Sequence, residues 1–487
     1  MLVGVGLEAM RVARAVVDWF GGQKVRRRRA SNGDRGHALA MLREPGCPIC
    51  SERRAQERRF FRWFPVDYYA EGWWVRRLAE SGGFCRDHFW ELIAVSGIPY
   101  QFSYVAQYLL AATRDGLIAV ALAADANRST IGRGRRLRRA ICALQLRKRC
   151  PVCAGGEVWE GWAIEQLLAG LTFPEVGPAL RASAGLCLPH LRQTLQQSDP
   201  TEVALLVEAH RPNLAAAAVG SPAIVNADHQ LAALLYGDLG AKTGSPGADA
   251  RSGRAAAVGT GWGEVAVDVL AGDECPVCRA VAAGLEECYS KLESVGRPGQ
   301  VPLASLAGAE NLCPAHAKEV VRRGGTIAIG PVWLGLAREA LAGMALQARA
   351  AAKPGQRGLV PRWPHRGAPA GRSATAASCP ACNATETLTD EALDRLLAAL
   401  AEPRGRERYR ASGGMCQTHL RAALERAPLP ALRLLVEVQM GRLYHLDAEL
   451  ADYFHKSDYK HRDEPRGREQ TAWLRAIALL VGGPPRA

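Results

Sequence analysis

The sequence predicts an all-α protein of four helical modules, each stapled by a Cys3His zinc site and arranged as a tandem duplication of a two-module half. Three observations carry that expectation. Runs rich in Val, Ile, Thr and Tyr at strand spacing are few, whereas leucines recur at helical spacing. Twelve of the 14 cysteines fall into four copies of one pattern, Cys-Pro-x-Cys followed later by Cys-x-x-His. The copies repeat at nearly constant offsets.

The four copies are Cys47, Cys50, Cys85, His88; Cys150, Cys153, Cys187, His190; Cys275, Cys278, Cys313, His316; and Cys379, Cys382, Cys416, His419. Between the second and third cysteine lie 34, 33, 34 and 33 residues, and the gaps from each His to the next copy are 61, 84 and 62. The alternation makes a pair of modules the unit of duplication. Copies one and three are offset by 228 residues, copies two and four by 229. Other residues repeat at 229: Leu167-Leu168-Ala169 returns as Leu396-Leu397-Ala398, Pro174 as Pro403, Arg181-Ala182-Ser183 as Arg410-Ala411-Ser412, and Leu205-Leu206-Val207-Glu208 as Leu434-Leu435-Val436-Glu437.

Within a module, a leucine-spaced run follows CPxC (157–170, 387–401). Gly83, Gly185, Asn311 or Gly414 then ends it near the third cysteine, and CxxH opens a second helix (89–95, 191–197, 317–323, 420–426). A third helix follows, as at 105–123. The division expected is an N-terminal helix and basic segment (1–40), modules at 41–124, 140–236, 264–350 and 378–450, linkers at 237–263 and 351–377, and a charged C-terminal cap at 451–487. Asp125 to Arg139 reads as a further, basic linker.

Three thiolates and one imidazole are a standard closed zinc set, and residues at i and i+3 of a helix are neighbours on one face. Each site is therefore expected to clip a CPxC turn to the start of a helix about 34 residues later, with about four Zn2+ per chain. An iron–sulfur cluster is the alternative, since thiolates are its usual ligands too. Disulfides and CPxC redox chemistry are disfavoured by the compartment and by two further ligands at fixed spacing. Cys142 and Cys288 fall outside the pattern and read as core helix residues.

At 487 residues, 48% apolar and 23% charged, the chain is a folded multi-domain protein. Residues 1–150 hold 27 Lys and Arg against 13 Asp and Glu, so the net charge of +14 resides in the first third. Fifteen of 31 aromatics lie between Phe60 and Tyr108, interleaved with Arg53, Arg54, Arg58, Arg59, Arg62, Arg76 and Arg77. Arginine beside aromatics suits nucleic acid, so residues 24–149 offer a nucleic-acid surface; a bulkier core with a solvated basic rim is the favoured reading, and a protein the favoured partner. No run of about 18 uninterrupted apolar residues marks a membrane span. Met1 to Gly22 lacks the layout of a secretory signal, which makes a cytoplasmic location the default. No Gly-rich phosphate loop, nucleophile elbow or HExxH occurs. Closed metal sites leave no open coordination position, so no catalytic residue is assigned and a non-enzymatic scaffold or interaction protein is expected.

The tail has no counterpart in the first half: Tyr453-Phe454-His455-Lys456-Ser457-Asp458-Tyr459-Lys460-His461-Arg462-Asp463-Glu464, then Gly467, Glu469 and Trp473. It reads as a capping helix, with pocket lining or partner docking as the other use. Taken with CPxC and the Gly-x-Cys-x-x-His runs at 83–88 and 185–190, this tail resembles a bacterial domain-of-unknown-function family. The resemblance implies the architecture and no reaction.

Overall fold

The computed structural model describes residues 30–125, 130–144, 148–219, 234–235, 274–294, 379–461 and 463–484, together with isolated positions between 313 and 349. The first 29 residues, the connectors at 237–263 and 351–377, and Asn311 lie outside these. The described residues are about 82% helical and contain no strand, as the leucine spacing predicts. In chain order the helices are α1 (Asn32–Arg43), α2 (Pro48–Trp63), α3 (Gly72–Ser81), α4 (Arg86–Ser96), α5 (Pro99–Asp125), α6 (Thr130–Ala143), α7 (Pro151–Gly170), α8 (Val176–Ala182), α9 (Leu188–Gln197) and α10 (Pro200–Val219). The second half adds α11 (Pro276–Ser294), α12 (Pro380–Ala399), α13 (Pro403–Ala411), α14 (Gln417–Arg426), α15 (Leu429–Ser457) and α16 (Ala472–Val481).

The chain divides into two compact units, each made of three segments: 1–56, 154–243 and 289–383 in the first, and 57–153, 244–288 and 384–487 in the second. In the first unit, α8 packs on α1 and α10, and α9 packs on α10. A capping box starts α1: Ser31 Oγ accepts from the Asp34 N–H, and the Asp34 carboxylate accepts from the Ser31 N–H.

The second unit is built around α5, which packs on α3, α6, α15 and α16. By length and composition alone α5 could cross a membrane, the single such helix among the described residues. Its Phe102, Val105, Ala106, Leu109, Leu110, Leu117 and Val120 are buried in one hydrophobic core with α15 and α16. The aromatics of the first module largely feed this core. Phe61, Phe64, Phe84, Phe89 and Phe102 are fully enclosed, and Phe64–Phe84 and Phe84–Phe89 meet edge to face.

Three local expectations change. The stretch 125–139, read as a linker, is occupied from Thr130 by α6, which rests on α5 and α14. Arg135, Arg136, Arg138 and Arg139 face outward while Ile141 and Leu144 are buried, so a basic composition marks an exposed helical face here. Cys142, expected in the core, is exposed beside buried Ile141 because a step of one residue turns the side chain away from the packed stripe. Cys288 is part-exposed. The C-terminal stretch, expected to cover an end, instead places α16 inside the second unit: Ala472 to Leu480 are all buried against α5, α14 and α15. Apart from Arg475, which pairs with Glu449, the helix is apolar all round, and such a helix belongs in a core.

Candidate metal centres

The helix starts explain where the sulfurs point. Proline at the first helical position needs no N–H partner and has its φ preset. Each CPxC is thus the first turn of a helix rather than a turn ahead of one: α2, α7, α11 and α12 all begin at its proline. The Cys47, Cys275 and Cys379 carbonyls accept from the N–H four residues on, at 3.0, 3.1 and 3.0 Å. The CxxH copies do the same. Cys85, Cys187 and Cys416 are N-cap residues of α4, α9 and α14 with extended backbone (φ −67, −65 and −64). Seven of the eight donor pairs therefore occupy the N-cap and third positions of a helix, and in the remaining pair the Cys313 carbonyl accepts from the Ala317 N–H at 2.9 Å. The positive dipole ends of these helices favour thiolate.

All sixteen cysteines and histidines gather into four quartets, but not in the partition drawn from sequence order. Cys47 and Cys50 meet Cys187 and His190; Cys85 and His88 meet Cys150 and Cys153; Cys275 and Cys278 meet Cys416 and His419; Cys313 and His316 meet Cys379 and Cys382. The pairing is nested: within each half, the first CPxC joins the last CxxH, and the inner CxxH joins the inner CPxC. Sequence distance argued for neighbours, yet each doubling of a loop costs only about 0.6 kcal/mol of closure entropy. The separations of 137 and 68 residues that the first half uses therefore add little against metal-site energies on the order of 10 kcal/mol. Helix packing decides the partners instead. The first unit holds the outer quartet of the first half and the inner quartet of the second, and the second unit holds the other two.

The geometry fits a single ion in each quartet. Bonds of about 2.3 Å to sulfur and 2.0–2.1 Å to nitrogen make tetrahedron edges of about 3.8 Å (S···S) and 3.5 Å (S···N). The sulfurs of Cys50–Cys187, Cys85–Cys153, Cys278–Cys416 and Cys313–Cys382 lie 3.8, 3.8, 3.7 and 3.8 Å apart. The histidine Nδ1 atoms stand 3.2–3.4 Å from the sulfurs in the first quartet and 3.2–3.7 Å in the second. None of the fourteen cysteines is in a disulfide.

With Nδ1 turned to the sulfurs, Nε2 is left for a carboxylate. Glu160 Oε1 lies 3.5 Å from His190 Nε2 and 2.6 Å from Arg53 Nη1. Burial raises the Glu160 pKa, but His190 and Arg53 outweigh it and leave it below the usual range. Glu57 Oε1 lies 3.9 Å from His88 Nε2. At its spacing Glu160 fixes the orientation of the His190 imidazole and strengthens it as a ligand, whereas Glu57 stands beyond hydrogen-bond distance of His88. Without a metal, the first cysteine of each CPxC is the acidic member. Hydrogen bonds from Cys153 and Cys85 lower Cys150, those from Cys278 and Cys416 lower Cys275, and that from Cys313 takes Cys379 down to about 3. Burial works against Cys47, yet bonds from Cys187, Cys50 and His190 bring it down too.

Two polar residues passed over in the sequence hold the loop ahead of the third cysteine. Gly185 and Gly414 have φ of +75 and +85 and sit tight against His210 and Gln439. Buried His210 Nε2 accepts from the Leu186 N–H at 2.6 Å, and its Nδ1 donates to the Leu206 carbonyl at 2.7 Å. Gln439 Oε1 accepts from the Met415 N–H at 3.1 Å and its amide returns a bond to the Met415 carbonyl at 2.9 Å. The sequence carries a signal: His210 and Gln439 stand at the same offset of 229, each two residues after the repeated Leu-Leu-Val-Glu.

The chain matches no family model, no curated protein and no solved structure.

Proposed function

We propose that the chain is a non-enzymatic scaffold whose helices are stapled by four structural zinc ions, serving as a platform for protein partners in a reducing, cytoplasmic setting. The observation that carries this is the donor set: three sulfurs and one imidazole nitrogen at single-tetrahedron spacing, four times over. Bound zinc would supply cross-linking energy to helix pairs. With every position taken by protein, no water is left on the metal to activate. An iron–sulfur cluster places several atoms between its cysteines, whereas each quartet's donors lie within 4.8 Å of one another, which favours one ion. Twelve cysteines grouped as metal-type ligands rather than in disulfides support a reducing compartment. The partner role rests on exposed Trp63, Trp73, Tyr104, Tyr108 and Leu122 near a basic surface. With most phenylalanines of that module enclosed, a base-stacking platform has less to draw on.

Metal analysis of the purified full-length chain tests the reading. About four zinc per chain in a colourless protein that loses helicity on chelation is the expected result. Stoichiometric iron with sulfide and visible absorption would overturn it. Nucleic-acid affinity falling steeply with salt would replace the protein-partner reading.

A further inference from the structure

Beyond all four quartets, three side chains of the C-terminal tail converge where α15 ends. His455 Nε2 lies 3.1 Å from Glu464 Oε1, and His461 Nδ1 lies 2.8 Å from the same oxygen. The two imidazole rings face each other with centroids 3.8 Å apart and planes 31° from parallel. We infer that His455, His461 and Glu464 form a fifth metal site of another kind: an exposed two-histidine, one-carboxylate set for a divalent first-row transition ion, with coordination positions open to water or an outside donor.

The argument begins with edges. Metal bonds of about 2.0–2.2 Å, meeting at 90–110°, set neighbouring donors about 2.9–3.4 Å apart. One observed nitrogen–oxygen distance, 3.1 Å, falls inside that range and the other, 2.8 Å, just below it, and all three donor atoms lie within 4.8 Å of one another. Donor chemistry comes next. Imidazole with carboxylate suits zinc, nickel, cobalt or iron, while all-oxygen sets suit magnesium and calcium. Three protein donors are the number that leaves a site open, in contrast to the filled quartets. Exposure agrees: the three side chains are 47%, 39% and 42% accessible, so an ion could exchange ligands with solvent.

The loop is built to hold this shape. Lys460 N–H donates to Asp458 Oδ1 at 3.0 Å, His461 N–H to the Asp458 carbonyl at 3.0 Å, and Glu464 N–H to the His461 carbonyl at 3.1 Å. Two successive turns thereby carry residues 461 and 464 back over His455. Beneath them Lys456 bridges Asp452 at 2.8 Å and Glu469 at 3.3 Å, and Glu469 accepts from the Gly467 N–H at 2.7 Å. Two rings are aimed at one carboxylate oxygen, which brings the three donors to one point. The site also stands outside the duplicated plan, since positions 229 earlier carry Asn226, Ala232 and Leu235.

The test uses the full chain with its resident metals in place, after a mild chelator has cleared loosely held ions. Titration with Co2+ should show one further equivalent, with weak d–d absorption and no added thiolate-to-cobalt charge-transfer band. His455→Ala and His461→Ala should each abolish that equivalent while retaining the resident metals and the far-ultraviolet dichroism. Glu464→Gln, which keeps a hydrogen-bond acceptor, should weaken it at least tenfold. A wild-type chain that takes up no further equivalent, or variants that all keep it, would overturn the site. So would variants that melt earlier with or without Co2+ and show no difference in metal uptake, since that is the behaviour of a clasp. Failure here leaves the resident-metal count untouched, so the two readings stand or fall separately.

Discussion

A cysteine that caps a helix can do two things at once. Its carbonyl starts the hydrogen-bond ladder, and its sulfur stands at the positive end of the helix dipole. Cys85, Cys187 and Cys416 share that position, and the residue three places on reaches the same point from one turn further along. The loops before Cys187 and Cys416 each depend on a single buried acceptor, and His210 offers a sharp test of it. Burial holds its pKa down to about 4, against an ordinary 6.5. A depressed histidine stabilises the fold above its unfolded value and withdraws that support as pH falls from 6.5 toward 4. His210→Gln, copying Gln439, should therefore fold with a cost under about 1 kcal/mol at pH 7.5 and outlast the wild type on acidification. The difference should grow by about 1.4 kcal/mol per pH unit below 6.5, measured by urea denaturation of both proteins. His210→Leu leaves the Leu186 N–H without its acceptor and should cost about 1–3 kcal/mol at neutral pH. Equal acid sensitivity of wild type and His210→Gln would remove His210 from the account.

Among the helices, α16 shows how placement decides the meaning of a sequence. Its Trp473 is fully buried and stacks on Phe102 of α5 with centroids 5.7 Å apart. Arg475, also buried, pairs with Glu449 of α15 at 2.6 Å and donates to the Arg468 carbonyl at 2.7 Å. Beyond α16 the Gly482 and Gly483 carbonyls accept from Trp90 Nε1 and Arg86 Nε on α4 at 3.0 and 2.7 Å. The last helix is thus held by residues from the first module as well as the last. Trp473→Ala should cost about 3–5 kcal/mol in chemical denaturation, the range for emptying a core aromatic site. A cost under 1 kcal/mol would return α16 to the role of a dispensable cap.

At the scale of the whole molecule, the nested pairing of quartets makes both modules of a half share both sites. Counting released metal distinguishes this from pairing within each motif. Cys47→Ser and Cys187→Ser strike one quartet, so the double variant should lack the same single ion as either variant alone. Cys47→Ser with Cys85→Ser strikes two quartets and should lack two ions. Pairing within each motif demands the reverse, and mass spectrometry under native conditions reads the answer directly. The compact units follow the same logic, each drawing one outer and one inner quartet from opposite halves of the duplication.

Helical class, duplication and the sixteen donor residues were determined by the sequence alone, because each rests on short-range chemistry: leucine spacing, proline at a helix start, and donors three residues apart. Which CPxC faces which CxxH was decided only in three dimensions. Closure entropy rises too slowly with loop length to favour the nearer partner, so the packing of α4, α9 and α14 against their neighbours chooses. The same holds for 130–143 and 472–481, whose charge and apolar content read as linker and cap until neighbouring helices show which face is covered. The His455–His461–Glu464 cluster was visible only as a dense run of polar letters. Two hydrogen-bonded turns after α15 were needed to bring those letters to one point.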